Sequence, residues 1–447
     1  MFAQILNKKT MLLEYNFKNY KSFRDYNSLS MIGVKSFKEH EPENIINLGK
    51  EKILKTAVVY GNNASGKSNL VKGLQLMKEM VKSSFRDALI EKDSSIQTEK
   101  FLLNTETENA ASLFEVVFIC ENTKYKYGFE IGANSILKEW LYYTSTKETP
   151  LFIREENKYK INKTSFKEGL NLETKTRDNV LFLSLVAQFN GTISNKIIEW
   201  FKNVNFISGI HDKGYGLYTI HKLKNDTKFN KWLSLILNHL ENSNITIEEV
   251  DFNEEELEKI VDETNDEKLK NFIVALKKLK GDKTKKIQLS TWHKKYDNNN
   301  LLVDTIPFDF EKQESEGTKK FINLLGPWYD TLKNGKILIV DELDSRLHTQ
   351  LTKNLIKLFH EYNNKSAQLL FSSHDVNLLD KDIFRRDQIW FIEKDQFGAS
   401  QLYSLADFKA ESVRKTSSFS KNYLNGKYGA TSYFKIKDSI TKLLTDE

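Results

Sequence analysis

A nine-residue stretch that begins at residue 61 limits the possible folds of this chain more than any other feature. It follows the apolar run Ile53–Tyr60 and leads into a helical pattern in which Leu70, Val71 and Leu74 share one face. Its residues are, in order, Gly61, Asn62, Asn63, Ala64, Ser65, Gly66, Lys67, Ser68 and Asn69. This is the spacing G-x-x-x-x-G-K-[ST], placed between a strand and a helix.

The residue types in this loop (Gly61–Ser68, the P-loop) are those that phosphate binding requires. Glycines let the backbone turn tightly, so that successive N–H groups point at one phosphate, and the helix start adds its positive dipole. Lys67 can then reach the β- and γ-phosphate oxygens, and the Ser68 hydroxyl can ligate Mg²⁺. The alternative is a glycine-rich turn that binds nothing, and the flanking strand and helix disfavour it. The sequence therefore predicts a nucleoside triphosphate site.

Composition and charge restrict the class of protein only loosely. A chain of 447 residues suggests two or three domains, or one nucleotide-binding head with insertions. The net charge of +6 permits a nucleic acid partner without requiring one, because basic and acidic residues are interleaved. The single cysteine, Cys120, favours a reducing compartment over disulfides or a zinc site. Since no apolar run is long enough to cross a membrane, we expect a cytoplasmic protein without a membrane partner.

The strand and helix patterns predict an α/β protein in three segments. Residues 11–145 read as an N-terminal lobe with the P-loop and an antiparallel meander. Residues 146–285 lose the strand pattern and are predicted as a mainly helical insertion, whereas in residues 286–447 strands return between helices. The meander strands are predicted at Leu113–Cys120, Tyr125–Ile131 and Ile136–Tyr143. The helices of the insertion are predicted at Asn179–Gln188, Thr192–Phe201, Lys228–Leu240, Glu254–Val261 and Glu267–Lys280.

Two carboxylates end a strongly apolar strand pattern in the C-terminal segment. Ile337–Val340 is followed by Asp341 and Glu342, and a buried strand would place both acids at the sheet edge where ligands bind. We expect Asp341 to hold Mg²⁺ together with Ser68, and Glu342 to orient and deprotonate the attacking water. A strand that ends in acids by chance is the alternative, which the preceding P-loop disfavours.

Two further motifs complete the predicted site. His374 ends the apolar strand pattern Ala367–Ser373, and parallel neighbouring strands would end at the same edge, so its imidazole is expected to reach the γ-phosphate. The run Ser315-Glu316-Gly317 (the signature turn) lies at a predicted helix start, which is itself an anion site. Within one subunit nothing requires such a turn. It has a role if it meets the γ-phosphate that a second copy holds.

The order of these motifs resembles that of the ABC-type ATPase superfamily. The opening segment Phe17–Phe23 is similar to the start of heads in the SMC, RecF and OLD group. The segments Arg386–Asp395 and Tyr423–Ala430 resemble OLD-like ATPases of bacterial abortive-infection systems, the AbiL type. The resemblance implies an ABC-type P-loop head, with an antiparallel β-subdomain, a mainly parallel core sheet and a helical insertion. It also implies head-to-tail pairing around two ATP molecules, with Ser315 and Gly317 acting in trans.

The chain departs from the superfamily pattern at three positions. The signature begins Glu314-Ser315-Glu316-Gly317 where transporters have Leu-Ser-Gly-Gly. His348 stands where the loop after the paired acids usually has aspartate. The glutamine of the superfamily's Q-loop has no clear counterpart in this sequence, and Gln97 is the candidate for it. These departures affect communication between the two sites more than they affect hydrolysis.

Two functions are consistent with these features. The first is a Mg²⁺-dependent ATPase, a homodimer or higher homo-oligomer, that regulates a phage-defence effector. OLD enzymes usually carry a nuclease domain after the head, and too few residues follow His374 for one, so a separately encoded nuclease is expected.

The second is a DNA repair or chromosome-maintenance ATPase that clamps DNA on binding ATP, which would make its affinity for DNA strongly dependent on salt. Its support is the lysine-rich part of the insertion, Lys277–Lys280 and Lys283–Lys286, and a basic tail. The tail lysines are Lys415, Lys421, Lys427, Lys435 and Lys437. A transporter subunit is disfavoured, because the embedded insertion and the tail do not suit docking on membrane helices.

Overall fold

The computed structural model describes residues 9–90, 98–211, 213–238, 244–251, 285–408 and 418–431. The chain divides into two compact units. The first comprises Met1–Phe206, Thr331–Asp344 and Thr352–Glu447, and the second comprises Ile207–Asp330 and Ser345–Leu351. Among the helices in these described ranges, none combines the length and the apolar character that a membrane crossing requires.

The described residues contain eighteen strands and ten α-helices, besides short 3-10 turns. The strands are β1 Thr10–Lys18, β2 Asn27–Ser30, β3 Ile45–Leu48, β4 Glu51–Leu54, β5 Thr56–Gly61, β6 Ser112–Cys120, β7 Thr123–Ile131, β8 Ile136–Thr144, β9 Glu148–Glu155, β10 Lys158–Ile161, β11 Val204–Ser208, β12 Asn244–Asp251, β13 Lys285–Tyr296, β14 Leu302–Asp309, β15 Ile337–Asp341, β16 Gln368–Ser372, β17 Ile389–Lys394 and β18 Ser400–Ser404. The helices are α1 Glu41–Asn44, α2 Lys67–Ile90, α3 Phe182–Gln188, α4 Thr192–Lys202, α5 Lys213–Asn225, α6 Thr227–Asn238, α7 Phe310–Gln313, α8 Glu316–Asn334, α9 Thr349–Glu361 and α10 Phe419–Leu424.

A seven-stranded antiparallel sheet lies in the first unit, with strand order β10-β9-β8-β7-β6-β1-β2. Its side chains alternate between the core and the outer face, as Tyr125, Tyr127 and Phe129 show in β7. The predicted meander is confirmed as β6, β7 and β8. The expectation that strands stop near residue 150 is wrong, because β9 and β10 continue this sheet. Leu151 and Phe152 are buried there, but the charged residues around them hide the alternation in the sequence.

The core sheet of six strands has the order β11-β15-β16-β5-β17-β18. The pairs β15–β16, β16–β5 and β5–β17 are parallel, and β17–β18 is antiparallel. Strands β5 and β16 are buried along their whole length, which explains why they read as continuous apolar runs. The predicted class is confirmed: an α/β protein with an antiparallel sheet and a mainly parallel core sheet. Parallel pairing places the carboxyl ends of β5, β15 and β16 at one edge.

Helices α2, α3 and α4 contribute to the core of the first unit together with residues of both sheets. In α2 the buried side chains Leu70, Leu74, Met77 and Val81 recur at helical spacing. Trp200 of α4 is buried and lies against a strand of the antiparallel sheet. The predicted helices in residues 179–188 and 192–201 correspond to α3 and α4. This packing fixes α2, and with it the end of the P-loop.

The second unit contains an antiparallel sheet of order β12-β13-β14 and the helices α5, α6 and α7. The predicted helix over residues 228–240 corresponds to α6. Strands β11 and β12 fall in the segment predicted as mainly helical, which corrects the expectation that it contains no strands. The limits of the predicted lobes and insertion stay a prediction. Several predicted features lie outside the described residues, namely Glu254–Val261, Glu267–Lys280, Lys277–Lys280, Gln97, Lys415, Lys435 and Lys437.

Candidate nucleotide-binding and hydrolysis site

The P-loop joins the end of β5 to the first residue of α2, as the sequence predicts. Ser65 N donates to Asn62 O at 3.1 Å, and Leu70 N donates to Gly66 O at 3.0 Å, which closes the loop and begins the helix. Ala64 has a φ of 61° and Gly66 a φ of 121°. A backbone that turns in this way presents successive N–H groups to one anion.

Two glycines of the loop are required by close packing. A Cβ at Gly61 would lie 2.4 Å from Ile392 O, the backbone of the neighbouring strand β17. At Gly66 it would lie 2.7 Å from Ser22 Oγ and 2.8 Å from Ser400 Oγ. Gly66 also has a φ that side chains rarely adopt. Substitution at either position would displace the loop.

Two serines from distant parts of the sequence hold the loop in place. Ser400 Oγ donates a hydrogen bond to Ser65 O. Asn69 Nδ2 donates to Ser22 Oγ at 2.8 Å, and Ser400 N donates to Ser22 O at 2.7 Å. Ser22 and Ser400 are site residues that the sequence motifs do not predict. Ser22 nevertheless lies in the segment Phe17–Phe23 that carries the resemblance, whereas Ser400 has no local signal.

The Lys67 side chain lies over the P-loop and is buried, with 5% of the residue exposed. Its Nζ donates to Gly61 O at 2.7 Å and to Asn62 O at 3.0 Å. Burial lowers the pKa of the Lys67 ammonium to about 8, although the carboxylates of Glu342, Asp341 and Asp344 act in the opposite direction. The P-loop after β5 and the acids after β15 lie at the same edge of the core sheet, because both strands pair in parallel with β16.

Asp341 and Glu342 lie at the end of β15, beside the end of the parallel strand β16. Ser372 Oγ donates to Asp341 Oδ1 at 2.7 Å and accepts from Glu342 N at 2.8 Å. Glu342 has a φ of 58°. This left-handed backbone conformation raises the free energy of any residue that carries a side chain. Backbone strain of this kind concentrates at functional sites. It coincides here with the residue expected to act on water.

His374 follows β16 and lies beside Glu342. Its Nε2 is 3.5 Å from Glu342 Oε1. The Asp344 carboxylate accepts hydrogen bonds from His374 N at 3.1 Å and from Asp375 N at 3.0 Å, which holds the backbone at this corner. The structure thus brings together Lys67, Asp341, Glu342 and His374. Asp344 is an additional member that the sequence analysis did not assign.

The residues expected to bind Mg²⁺ suit that ion. The Ser68 hydroxyl and the Asp341 carboxylate are hard oxygen donors, which Mg²⁺ prefers. Within the described part of the chain, no group of three or more His, Cys, Asp and Glu side chains could hold a metal. Mg²⁺ usually takes one or two protein carboxylates and completes its shell with phosphate oxygens and water. This donor set therefore fits an ion that binds together with a nucleotide.

A cavity of about 670 Å³ opens beside the P-loop in the first unit. Ser22 and Asn69 line it, together with the cations Lys21, Lys100 and Lys394. Phe101, Leu102 and Leu103 supply apolar surface. Its volume is in the range of pockets that hold small ligands.

The signature turn belongs to the second unit. Ser315 Oγ accepts a hydrogen bond from Thr318 N at 3.1 Å, and Ser315 O accepts one from Lys319 N at 2.9 Å. Ser315 is thus the N-cap of α8, as expected for a residue at a helix start. Ser315 and Glu316 are exposed. A hydrogen bond from Lys319 lowers the pKa of the Glu316 carboxyl.

The segment that follows the paired acids packs against the signature turn within the second unit. Lys320 Nζ donates to Ser345 O, and Arg346 Nη1 lies 3.3 Å from Glu316 Oε2. A Cβ at Gly317 would be 3.0 Å from Arg346 O, so a side chain there would crowd this contact.

His348, which departs from the superfamily pattern, lies immediately before α9. Its Nδ1 accepts a hydrogen bond from Gln350 N at 3.2 Å. His348 is exposed. Its ring therefore satisfies a backbone N–H of the first turn of α9, as an aspartate side chain could also do.

Among solved structures, SMC head domains cover most of the chain at low identity. The SMC head domain from Thermotoga maritima is 12% identical with a TM-score of 0.39, and 88% of this chain and 98% of that chain are covered. The SmcHead bound to the C-winged helix domain of ScpA is 11% identical with a TM-score of 0.43, at 90% and 99% coverage. The Smc head with an extended coiled coil, bound to the C-terminal domain of ScpA derived from Pyrococcus furiosus, is 10% identical with a TM-score of 0.38, at 90% and 98% coverage. These values are too low to transfer a partner or an activity.

A comparison with protein families is more informative. No curated protein sequence matches the chain. A family model described as "AAA domain, putative AbiEii toxin, Type IV TA system" matches residues 57–380. The match begins in β5 and ends after His374, so it contains the P-loop, the signature turn and the paired acids. Because it spans well over half of the sequence, the chain belongs to this family of AAA-type P-loop ATPase domains.

Proposed function

We propose that this chain is a Mg²⁺-dependent ATPase that pairs head-to-tail with a second copy around bound ATP. The observation that carries the proposal is the convergence of a buried P-loop lysine with three carboxylates. Strands β5, β15 and β16 pair in parallel, so the P-loop with Lys67 and the acids after β15 lie at one edge of the core sheet. Burial lowers the pKa of the Lys67 ammonium, and Glu342, Asp341 and Asp344 oppose this shift. Phosphoryl transfer needs this combination of a cation, metal ligands and a base for water.

Each residue then has a defined part in hydrolysis. The P-loop N–H groups and Lys67 bind the β- and γ-phosphates, and Glu342 orients the attacking water and takes its proton. His374, 3.5 Å from Glu342, donates to the γ-phosphate or to the water. Ser68 and Asp341 would hold Mg²⁺, which would neutralise charge on the phosphate oxygens. Asp344 keeps His374 in position through the backbone N–H of that residue.

The nucleoside half of ATP fits the cavity beside the P-loop. Asn69 and Ser22 line the cavity and are hydrogen-bonded to each other, and Ser22 lies beside Gly66 of the P-loop. The exposed side chains of Leu102 and Leu103 offer apolar surface to a base, and Lys100 and Lys394 offer donors to a ribose and phosphates.

The signature turn is proposed to act in trans. Its exposed Ser315 caps the 19-residue helix α8, and such an N-terminus favours an anion. A second copy that presents Ser315 and Gly317 to the γ-phosphate would complete the site. Hydrolysis would then require the dimer, and the dimer would require ATP.

The biological role is proposed to be regulation of a defence effector. The family description names the AbiEii toxin and a Type IV toxin–antitoxin system, which supports a role in a system of that kind. ATP-dependent pairing would serve as the switch, and a separately encoded nuclease would be the effector. Co-purification with the products of adjacent genes tests this part.

Complementation between two inactive variants tests action in trans. Ser315→Arg keeps the P-loop and Glu342 but blocks the signature turn, whereas Glu342→Gln keeps the signature turn but lacks the base. Each variant alone should bind ATP without turnover. When they are mixed before ATP is added, mixed dimers contain one complete site, so a substantial fraction of activity should return. If Ser315→Arg alone hydrolyses ATP normally, or mixing restores nothing, the signature turn does not act in trans.

A further inference from the structure

The residue immediately before the signature turn is held by two side chains of β13. Glu314 Oε1 lies 2.7 Å from His293 Nε2 and also accepts a hydrogen bond from Thr291 Oγ1. The Glu314 side chain is only 8% exposed. A carboxylate that is nearly removed from water requires such donors, because its desolvation is otherwise costly. Glu314 is therefore anchored to the sheet of the second unit.

Strand β13 places the two donors to Glu314 on one face of its sheet. Thr291 and His293 are two residues apart, so their side chains lie on the same face of the sheet. Thr291 is fully buried, and the His293 ring packs on Phe308 of β14 with 4.4 Å between ring centroids. Packing on one side and hydrogen bonding on the other restrict the imidazole to one orientation. The donors are rigid.

Further contacts order the short path from β14 to α8. Asp309 Oδ1 accepts from Glu311 N and Lys312 N, both at 3.0 Å, and thereby caps α7. Lys319 Nζ donates to Glu311 O at 3.1 Å, which joins α8 to α7. Glu314 is the C-cap residue of α7 and directly precedes Ser315, the N-cap of α8. Its side chain is the link from this path to β13.

We propose that Thr291 and His293 are positioning residues for the signature turn, acting through the Glu314 carboxylate. The inference rests on the proposed function, in which Ser315 completes the site of a second copy. Ser315 directly follows Glu314, so release of the carboxylate would let its hydroxyl and the first N–H groups of α8 move. A displacement of about 1 Å at a reacting group can cost on the order of a hundredfold in rate.

The test is the effect of His293→Ala on turnover, on pairing and on ATP affinity, measured separately with the full chain. We expect kcat to fall on the order of tenfold to a hundredfold, and ATP-dependent dimerisation to weaken. The affinity of the P-loop for ATP, measured by calorimetry at protein concentrations below pairing, should stay unchanged. His221→Ala is the matched control, because His221 is exposed on α5 in the same unit. It should leave all three quantities unchanged.

Variants of the carboxylate and the hydroxyl separate positioning from general stability. Glu314→Gln keeps an acceptor for both donors and should retain much of the activity, whereas Glu314→Ala should match His293→Ala. The double variant His293→Ala/Glu314→Ala should lose no more activity than either single variant, because both changes remove the same link between β13 and the signature turn. Thr291→Val is nearly isosteric, so it keeps the test decisive if His293→Ala unfolds. It should lower kcat in the same direction by a smaller factor.

The outcomes distinguish this inference from the function on which it rests. If Ser315→Arg is inactive while folded His293→Ala, Glu314→Ala and Thr291→Val turn over and pair like the wild type, the positioning role is wrong and the trans mechanism stands. If Ser315→Arg hydrolyses ATP normally, the trans mechanism itself is wrong. Additive losses in the double variant would also contradict the link through Glu314.

Discussion

The two halves of the proposed site are held in different ways. The P-loop half consists of the P-loop and the paired acids Asp341 and Glu342, and residues from across the first unit hold it. Ser22 and Ser400 form hydrogen bonds at the P-loop, and Ser372 donates to Asp341. The signature half is the short exposed turn Ser315–Gly317, whose cap is local. Its non-local contacts come from β13, through Glu314, and from Arg346. Lys67 of the first half is buried, whereas Ser315 and Glu316 of the second half are exposed.

This difference indicates a division of labour. A loop whose conformation is fixed by several hydrogen bonds can bind a triphosphate by itself, because its donors are positioned before the ligand arrives. An exposed helix N-terminus with a serine cap has donors but no pocket, so it can only complete a site that something else has formed. Binding should therefore depend on the P-loop half alone, and turnover on both halves. Three changes test this division, the first two by substitution and the third by pH.

Removal of the P-loop cation should have the largest effect. Lys67→Ala removes a buried ammonium that lies over the P-loop and donates to Gly61 O, and we expect measurable ATP binding to be lost. Calorimetry or displacement of a fluorescent nucleotide measures this. Lys72→Ala is the matched control, because Lys72 is an exposed lysine of the same helix, and its affinity should equal that of the wild type. Wild-type affinity in Lys67→Ala would remove Lys67 from the site.

Removal of the proposed base should separate binding from turnover. Glu342→Gln keeps the size of the side chain but cannot take a proton, so kcat should fall by roughly 10²–10⁴ while ATP affinity is retained. Since ATP then persists, light scattering should detect a stable dimer with ATP and a monomer without it. Glu361→Gln, an exposed glutamate of α9, is the control and should turn over normally. A Glu342→Gln variant that stays monomeric with saturating ATP would break the proposed coupling of ATP to pairing.

The sequence predicted the P-loop half more completely than the signature half, and the reason is physical. The strand, loop and helix around Lys67 are contiguous, and each of Asp341, Glu342 and His374 follows a buried apolar strand that is easy to recognise. The edge they share follows from parallel pairing alone. Ser400 could not be predicted, because it reaches the loop through the antiparallel pairing of β17 and β18, which no local pattern specifies.

The errors in the fold have a similar origin. Strands β9 and β10 carry Arg154, Glu155 and Lys158, whose charges interrupt the alternation on which strand prediction depends. Arg154 is in fact fully buried, beside Glu139, and donates to Val180 O at 2.6 Å. A buried arginine reads as surface in any sequence pattern. The pairing of Glu314 with His293 was missed in the same way, because two polar residues 21 positions apart carry no periodic signal.

The smallest predicted effect is a dependence of ATP affinity on pH. Burial lowers the pKa of Lys67 to about 8 in the free protein, whereas bound phosphates favour the protonated form. Binding should therefore take up a proton, and the affinity should fall about tenfold as the pH rises from 7 to 9.

Calorimetry in buffers of different ionisation enthalpy measures this proton uptake. Lys78→Met is the sharpest control, since burial also lowers the pKa of Lys78 to about 8, yet its Nζ donates to Val204 O rather than to the P-loop. Removing Lys78 should leave the uptake unchanged. If proton uptake vanished in Lys78→Met, the group that takes up the proton would be Lys78 and not Lys67. If ATP affinity did not vary between pH 7 and pH 9, no buried cation would respond to the nucleotide. Either result would remove the physical basis of the contrast between the two halves.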